Sequence, residues 1–390
     1  MMTQPIRVGI THGDINGVGY EVILKALSDE TMTELCTPVI FGYQEIAEKC
    51  RLGLELEDMK LHASPSAAEA QDGRVNIVEI GDEVPELTPG EGTPVSGKAA
   101  VDALHMAVEA LRQNDIDVLV TAPISKEAVQ GDEFRFPGHT EFLEEAIGDG
   151  AKARMILFDD YVRVALVSTH LPLSQVAAAV TKESVEAAVV SLNDSLKSDF
   201  GFERPCIAVL SLNPHAGDGG VLGNEEKEII EPVIKEMRDS GILAFGPFAA
   251  DGFFGMGDYR KFDGVVAMYH DQGLAPFKVL AGERGVNFTA GLPYVRTSPD
   301  HGTAFGIAWK GIADETSMRE AIYKAIDIFR RRQIYASAMA NPLKKHTTDR
   351  PDRGERQDRY GKKEKQSNAP KSQEGQQKEP KDEQLENQES

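Results

Sequence analysis

Apolar positions in the first 340 residues follow two alternating patterns. Val118-Leu119-Val120-Thr121, Val162 to Val167, Ile207 to Leu212 and Val265 to Met268 are short, continuously apolar runs, as expected of strands covered on both faces. Between them lie longer stretches, such as Gly97 to Arg112 and Lys182 to Leu196, with apolar residues at helical spacing. Strands separated by helices predict an α/β architecture built on a mainly parallel sheet with helices on both faces. No repeat of fixed period interrupts the alternation.

The pattern stops near Asn341. Lys344 to Ser390 is rich in Gln, Lys, Glu and Pro, with Tyr360 its only aromatic residue. Such a segment buries too little apolar surface to offset its chain entropy, so residues 342–390 are expected to form a disordered tail. The chain has no apolar run long enough for a membrane span and no secretory leader pattern. Its three cysteines, Cys36, Cys50 and Cys206, are odd in number and widely spaced, which points to a reducing, cytoplasmic setting. A net charge of -21 disfavours nucleic acid and anionic membranes as partners. An anionic substrate would need a local cluster of basic residues or a metal.

Three of the expected strands end in histidine. Val162 to Ser168 leads to Thr169-His170, Ile207 to Leu212 to Asn213-Pro214-His215, and Val265 to Tyr269 to His270-Asp271. Ligands of open parallel sheets bind beyond the carboxyl ends of the strands. Three imidazoles placed there predict a catalytic site for zinc or a similar ion. A single loop histidine would more simply be hydrogen-bonded; three in the same setting favour metal. Asp251 and Asp271 are nearby carboxylates that could orient a ligand. Lys278, Asn287 and Arg296 sit among Gly and Pro and form a candidate phosphate site. In Phe136-Pro137-Gly138-His139-Thr140-Glu141, Thr140 could cap a helix, or His139 and Thr140 could hold an anion at its N-terminus. Gly13 to Glu21 resembles a phosphate loop only loosely and fits neither dinucleotide nor P-loop spacing, so a tight strand-to-helix turn is expected there.

Ile10-Thr11-His12-Gly13-Asp14, Thr121-Ala122-Pro123-Ile124, Phe136 to Glu141, Ser168 to Leu173, Leu212 to Gly217, Tyr269 to Gly273 and Arg296 to Ala304 together resemble the 4-hydroxythreonine-4-phosphate dehydrogenase family. The resemblance spans residues 5 to 335. It departs from the family pattern at Ile15, Ser125 and Gly252. It implies two α/β domains with a cleft between them, like isocitrate and isopropylmalate dehydrogenases: residues 1–135 with 288–341, and residues 136–287 carrying the histidines. It implies NAD or NADP as cofactor and a homodimer with active sites at the subunit interface. His170, His215 and His270 would be the metal ligands, for zinc, magnesium or cobalt. His139, Thr140, Lys278, Asn287 and Arg296 would contact the substrate. The implied reaction oxidises 4-phosphooxy-L-threonine, with erythronate or threonate 4-phosphate as alternative substrates. A three-histidine hydrolase and a catalytically inert binding protein are the rival classes.

Overall fold

In a computed structural model of the chain, residues 5–131 and 134–342 are described; the expected tail lies outside them. Twelve strands form one sheet. They are β1 (Ile6–Thr11), β2 (Cys36–Gly42), β3 (Leu61–Ser64), β4 (Val75–Glu79), β5 (Val118–Thr121) and β6 (Arg154–Phe158). After these come β7 (Arg163–Leu166), β8 (Cys206–Leu210), β9 (Leu243–Phe248), β10 (Gly264–Ala267), β11 (Val286–Ala290) and β12 (Val295–Pro299). Their order across the sheet is β3-β4-β2-β1-β5-β12-β11-β6-β7-β10-β8-β9.

The mixed α/β class agrees with the apolar pattern, but the sheet departs from all-parallel at its middle. β11 runs antiparallel to both β12 and β6, and β6 antiparallel to β7. Loop length explains two of these pairings. Only Gly291 to Tyr294 joins β11 to β12, and only Asp159 to Val162 joins β6 to β7. A parallel crossover needs a dozen residues or more, so connections this short force hairpins. In the second hairpin, Asp159 Oδ1 accepts from the backbone N–H groups of Tyr161 and Val162, both at 2.8 Å, and closes the turn.

The flanking strands are parallel. β5 pairs with β1 and β12, and β10 pairs with β7 and β8. Their buried residues, Val118 to Val120 and Val265 to Met268 among them, meet helices on the sheet faces. The helices Pro94–Arg112 and Lys182–Ser198 both open with a reciprocal capping box, Thr93 with Ser96 and Thr181 with Ser184. The cysteines are free; Cys36 and Cys50 are buried, and burial pushes both thiols up to about 12. Among the described residues no helix is long and apolar enough to cross a membrane.

Gly13 to Gly19 form a tight turn, as its spacing predicts. Gly13 adopts φ +69, and a side chain there would meet the Pro123 carbonyl oxygen at 2.3 Å. The Asp14 amide donates to that same carbonyl at 2.9 Å. Residues 11–20 are all buried, so the turn braces the start of the Pro123 loop and presents no anion cradle.

Candidate active site

β7, β10 and β8 are adjacent and parallel, so the three chain segments that follow them emerge at one edge of the sheet. His170 lies four residues beyond β7, His215 five beyond β8, and His270 opens the helix His270–Ala281 after β10. Within one chain they gather only in part. The His170 and His270 rings face each other with centroids 6.1 Å apart. His215 instead lines a cavity of about 580 Å³ with Asp251, Tyr269 and Gln272. Among the described residues, no three His, Cys, Asp or Glu side chains come together closely enough to hold an ion. The expected convergence of three histidines is therefore not realised in a single chain.

The loop carrying His215 is built unusually. His215, Ala216 and Asp218 have positive φ of 53, 51 and 42, flanked by positive-φ Gly217 and Gly219. A residue with a Cβ adopts this conformation only when its surroundings over-determine it. The anchor is Glu226, buried beneath the loop. Its Oε1 accepts from the Leu212 and Asn213 amides at 2.8 and 2.7 Å, and its Oε2 from the Asn213 side chain at 3.0 Å.

The basic cluster forms a second, smaller cavity of about 230 Å³. Strand alternation makes its floor. Met155 on β6 pairs with Thr289 on β11, and Asn287 on β11 pairs with Ser298 on β12. These residues and Arg296 share one face of the sheet, while Phe288 and Thr297 pack on the other. The Arg296 guanidinium is buried; Nε and Nη2 donate to Thr121 Oγ1 at 3.1 and 2.6 Å, and Nη1 to Thr289 Oγ1 at 3.0 Å. Among the described residues it has no carboxylate in ion-pair contact. Burial lowers its pKa, partly opposed by Glu141. A guanidinium still stays charged near neutral pH, so the cavity holds a cation awaiting an anion.

His139 and Thr140 enter the same cavity from the first turn of the helix His139–Ile147. The N-cap is Gly138, and no side chain caps this helix, so Thr140 does not take the capping role its position suggested. Burial, then Arg296 and Lys126, drives the His139 pKa well below its ordinary value, leaving a neutral ring. His170 also lines this cavity, which links the basic floor to the histidine pair. Burial, then Lys126, lowers the His170 pKa and favours the neutral imidazole that a metal requires. His270 Nδ1 lies 2.7 Å from Asp271 Oδ1, a contact that leaves Nε2 for a ligand. Lys278 does not line the cavity; its ammonium contacts Asp300 Oδ1 at 3.1 Å and donates to the Asp300 carbonyl at 2.9 Å.

Residues 34–325 match the family described as pyridoxal phosphate biosynthetic protein PdxA. The chain belongs to this family. A 4-hydroxythreonine-4-phosphate dehydrogenase of Bacteroides thetaiotaomicron is 54% identical over 352 residues, covering 90% of this chain and 96% of its own length. A D-threonate 4-phosphate dehydrogenase of Cupriavidus necator is 40% identical, covering 83% and 98%. The crystal structure of a 4-hydroxythreonine-4-phosphate dehydrogenase from Klebsiella pneumoniae superposes with TM-score 0.73 at 33% identity, covering 84% of this chain and 99% of that one. The histidines and the basic floor are legible in the sequence; Thr121, Lys126, Glu141 and His301, which line the same cavity, carry no local signal of that role. Thr121, Glu141 and His301 lie in the family-like motifs and Lys126 beside one, yet only pairing of β5 with β12 brings Thr121 to Arg296. A cavity of about 620 Å³ elsewhere, between Lys152 and Arg332, contains none of the expected site residues.

Proposed function

We propose that the chain is an NAD-dependent dehydrogenase that oxidises 4-phosphooxy-L-threonine to 2-amino-3-oxo-4-phosphooxybutanoate. That product loses CO₂ to give 3-amino-2-oxopropyl phosphate on the route to pyridoxal 5'-phosphate. The observation carrying this reading is the buried guanidinium of Arg296, which among the described residues has no carboxylate in ion-pair contact, in a cavity also lined by His170. It suits a small molecule with a phosphate at one end and a hydroxyl on the neighbouring carbon.

Arg296, with Asn287 and Thr140, would bind the phosphate through charge-assisted and neutral hydrogen bonds. Neutral His139 would donate or accept without adding charge. Lys278 would approach the substrate by giving up its contact with Asp300. In a protein of net charge -21 this local reversal of sign is what admits an anion.

The donor set also fits a divalent ion. Two imidazoles ligating one tetrahedral ion through nitrogens about 2.0–2.1 Å away set their ring centroids roughly 5 Å apart, so the His170 and His270 rings, 6.1 Å apart, would have to close by about 1 Å to share one. We assign His170 and His270 of one subunit, with His215 of a second copy, to zinc, or to magnesium or cobalt in its place. When bound, such an ion supplies Lewis acidity that eases loss of the hydroxyl proton, and NAD, or NADP, supplies the hydride acceptor. The working unit is thus a cytoplasmic homodimer with interface active sites. The two-domain division at residues 135 and 288 belongs to the same proposal.

A second reading is oxidation of threonate or erythronate 4-phosphate; the Cupriavidus relative, a D-threonate 4-phosphate dehydrogenase, supports the first of these. Absorbance at the NADH band decides between them. The expected result is NADH formation with 4-phosphooxy-L-threonine that is lost on chelation and recovers with zinc. NADH formed only with the sugar-acid phosphates would replace the first reading with the second. Full activity in protein shown by elemental analysis to be metal-free would remove the ion.

A further inference from the structure

The parallel ladders on the two sides of β10 do not end alike. Towards β7 the main-chain bonding runs on past both strands. The Val167 amide donates to the Ala267 carbonyl at 2.9 Å, and the Ser168 amide to the Met268 carbonyl at 3.1 Å. Ser168 Oγ donates to that Met268 carbonyl as well, at 3.0 Å. The segments leading to His170 and His270 are therefore bonded backbone to backbone almost up to the histidines. Towards β8 the register ends at Val266 and Val209. The Ser211 amide instead donates to the Phe248 carbonyl at 2.8 Å, on the far side of β8. The cavity lined by His215 lies beyond this point, with Ser211 and Tyr269 both in its wall.

One side chain spans the gap. Gln272, in the first turn of the helix His270–Ala281, accepts from the Met268 amide through Oε1 at 2.7 Å. Through Nε2 it donates to the Ser211 carbonyl at 2.6 Å. A carboxamide offers the donor and acceptor of a peptide unit, so it stands where a backbone pair is missing. Between residues 268–272 and 211–215 no other hydrogen bond crosses, among the described residues. Glu226 holds the His215 loop through Leu212 and Asn213, but its bonds do not reach the His270 segment. How far the two segments stand apart is thus left to the Gln272 amide.

We propose that Gln272 is a positioning residue for the metal site, setting the separation of the His270 and His215 segments through this amide bridge. The inference rests on the metal assignment above. Under that assignment His270 serves one site of the dimer and His215 of the same chain serves the other, so each bridge bears on both sites.

The test uses the full-length protein, stripped of metal and reloaded. Gln272→Met keeps the length of the side chain and removes both hydrogen bonds. Gln272→Glu keeps the acceptor for Met268 and removes the donor to Ser211. Zinc affinity is measured by competition with a chromophoric chelator, and the visible spectrum of the cobalt(II)-loaded protein reports ligand geometry. Inorganic phosphate binding at the Arg296 cavity and the melting temperature of the metal-free protein serve as controls. The expected result is zinc binding weakened about tenfold or more in both variants, the scale of lost partners around metal ligands. The cobalt spectrum should change with it, while phosphate binding stays near wild type. Wild-type zinc affinity and cobalt spectrum in Q272M, or in Q272E should Q272M not fold, would overturn the proposal. So would a loss of zinc matched by equal losses of phosphate binding and melting temperature, which marks a bridge that only supports the fold. A wild-type protein that binds no zinc would instead overturn the metal assignment, and this proposal with it.

Discussion

Arg296 shows at the scale of one residue how binding is set against stability. The residue is 2% exposed and, among the described residues, its guanidinium hydrogen-bonds only two threonine hydroxyls. Burying a charge without a counter-charge is expensive, and replacing buried charge by a well-packed apolar group is often neutral or stabilising. Arg296→Met should therefore melt no lower than the wild type without substrate. The same variant should bind the phosphorylated substrate about ten- to a hundred-fold more weakly, the worth of hydrogen bonds to a charged partner. Differential scanning calorimetry and a substrate titration check both halves; a clear fall in melting temperature would show that Arg296 is a structural cation. His12 gives the pH dependence. It is buried with Nδ1 donating to the Gly13 carbonyl at 2.6 Å, and burial lowers its pKa from 6.5 to about 4. The unfolded chain then takes up the proton first, so this contribution is complete above pH 6.5 and is lost as pH falls towards about 4. At pH 5 the loss amounts to about 2 kcal/mol. His12→Asn, which keeps a donor near Nδ1, should lose about that much less stability than the wild type between pH 7.5 and pH 5. Parallel denaturant curves at the two pH values measure it, and identical losses would show that His12 is not neutral in the fold.

Elements explain which parts of the site could be read ahead of the structure. A strand followed by histidine is a local pattern, and parallel pairing of β7, β10 and β8 brings those three ends to one edge. The partnership of Thr121 with Arg296 is not local: 175 residues separate them, and it depends on β12 lying beside β5. The antiparallel centre was legible in principle from the four-residue connections, but the apolar runs on either side do not report strand direction. The Pro214–Gly220 loop is the clearest case of an element held by one distant residue. Without Glu226, the Leu212 and Asn213 amides lose their acceptor beneath a run of left-handed residues. Glu226→Ala should displace His215 and lower metal stoichiometry and turnover at least tenfold, while inorganic phosphate binding at the Arg296 cavity stays near wild type. Retention of bound metal would mean that the loop keeps its shape without the carboxylate.

The whole molecule decides how the metal site is completed. In one chain the His170 and His270 rings pair and, among the described residues, no third ligand completes a metal group with them, so a two-fold dimer in which each copy lends its His215 to the other would supply three imidazoles twice over. The competing partition, with His170 and His215 in one subunit and His270 in its partner, makes a different forecast. Each single variant, His170→Ala, His215→Ala or His270→Ala, should be inactive as a homodimer. When His170→Ala and His215→Ala chains are refolded together, a mixed dimer has one site with both lesions and one site with none. Random pairing makes about half the dimers mixed, so about a quarter of all sites should regain turnover and metal. Refolding His170→Ala with His270→Ala should restore nothing, because both lesions belong to the same half of every site. Recovery in that second mixture instead of the first would support the other partition. Recovery in neither, with mixed dimers confirmed by mass spectrometry, would mean that each chain gathers its own three histidines by a movement of the His215 loop, and the metal assignment would then stand without the shared interface.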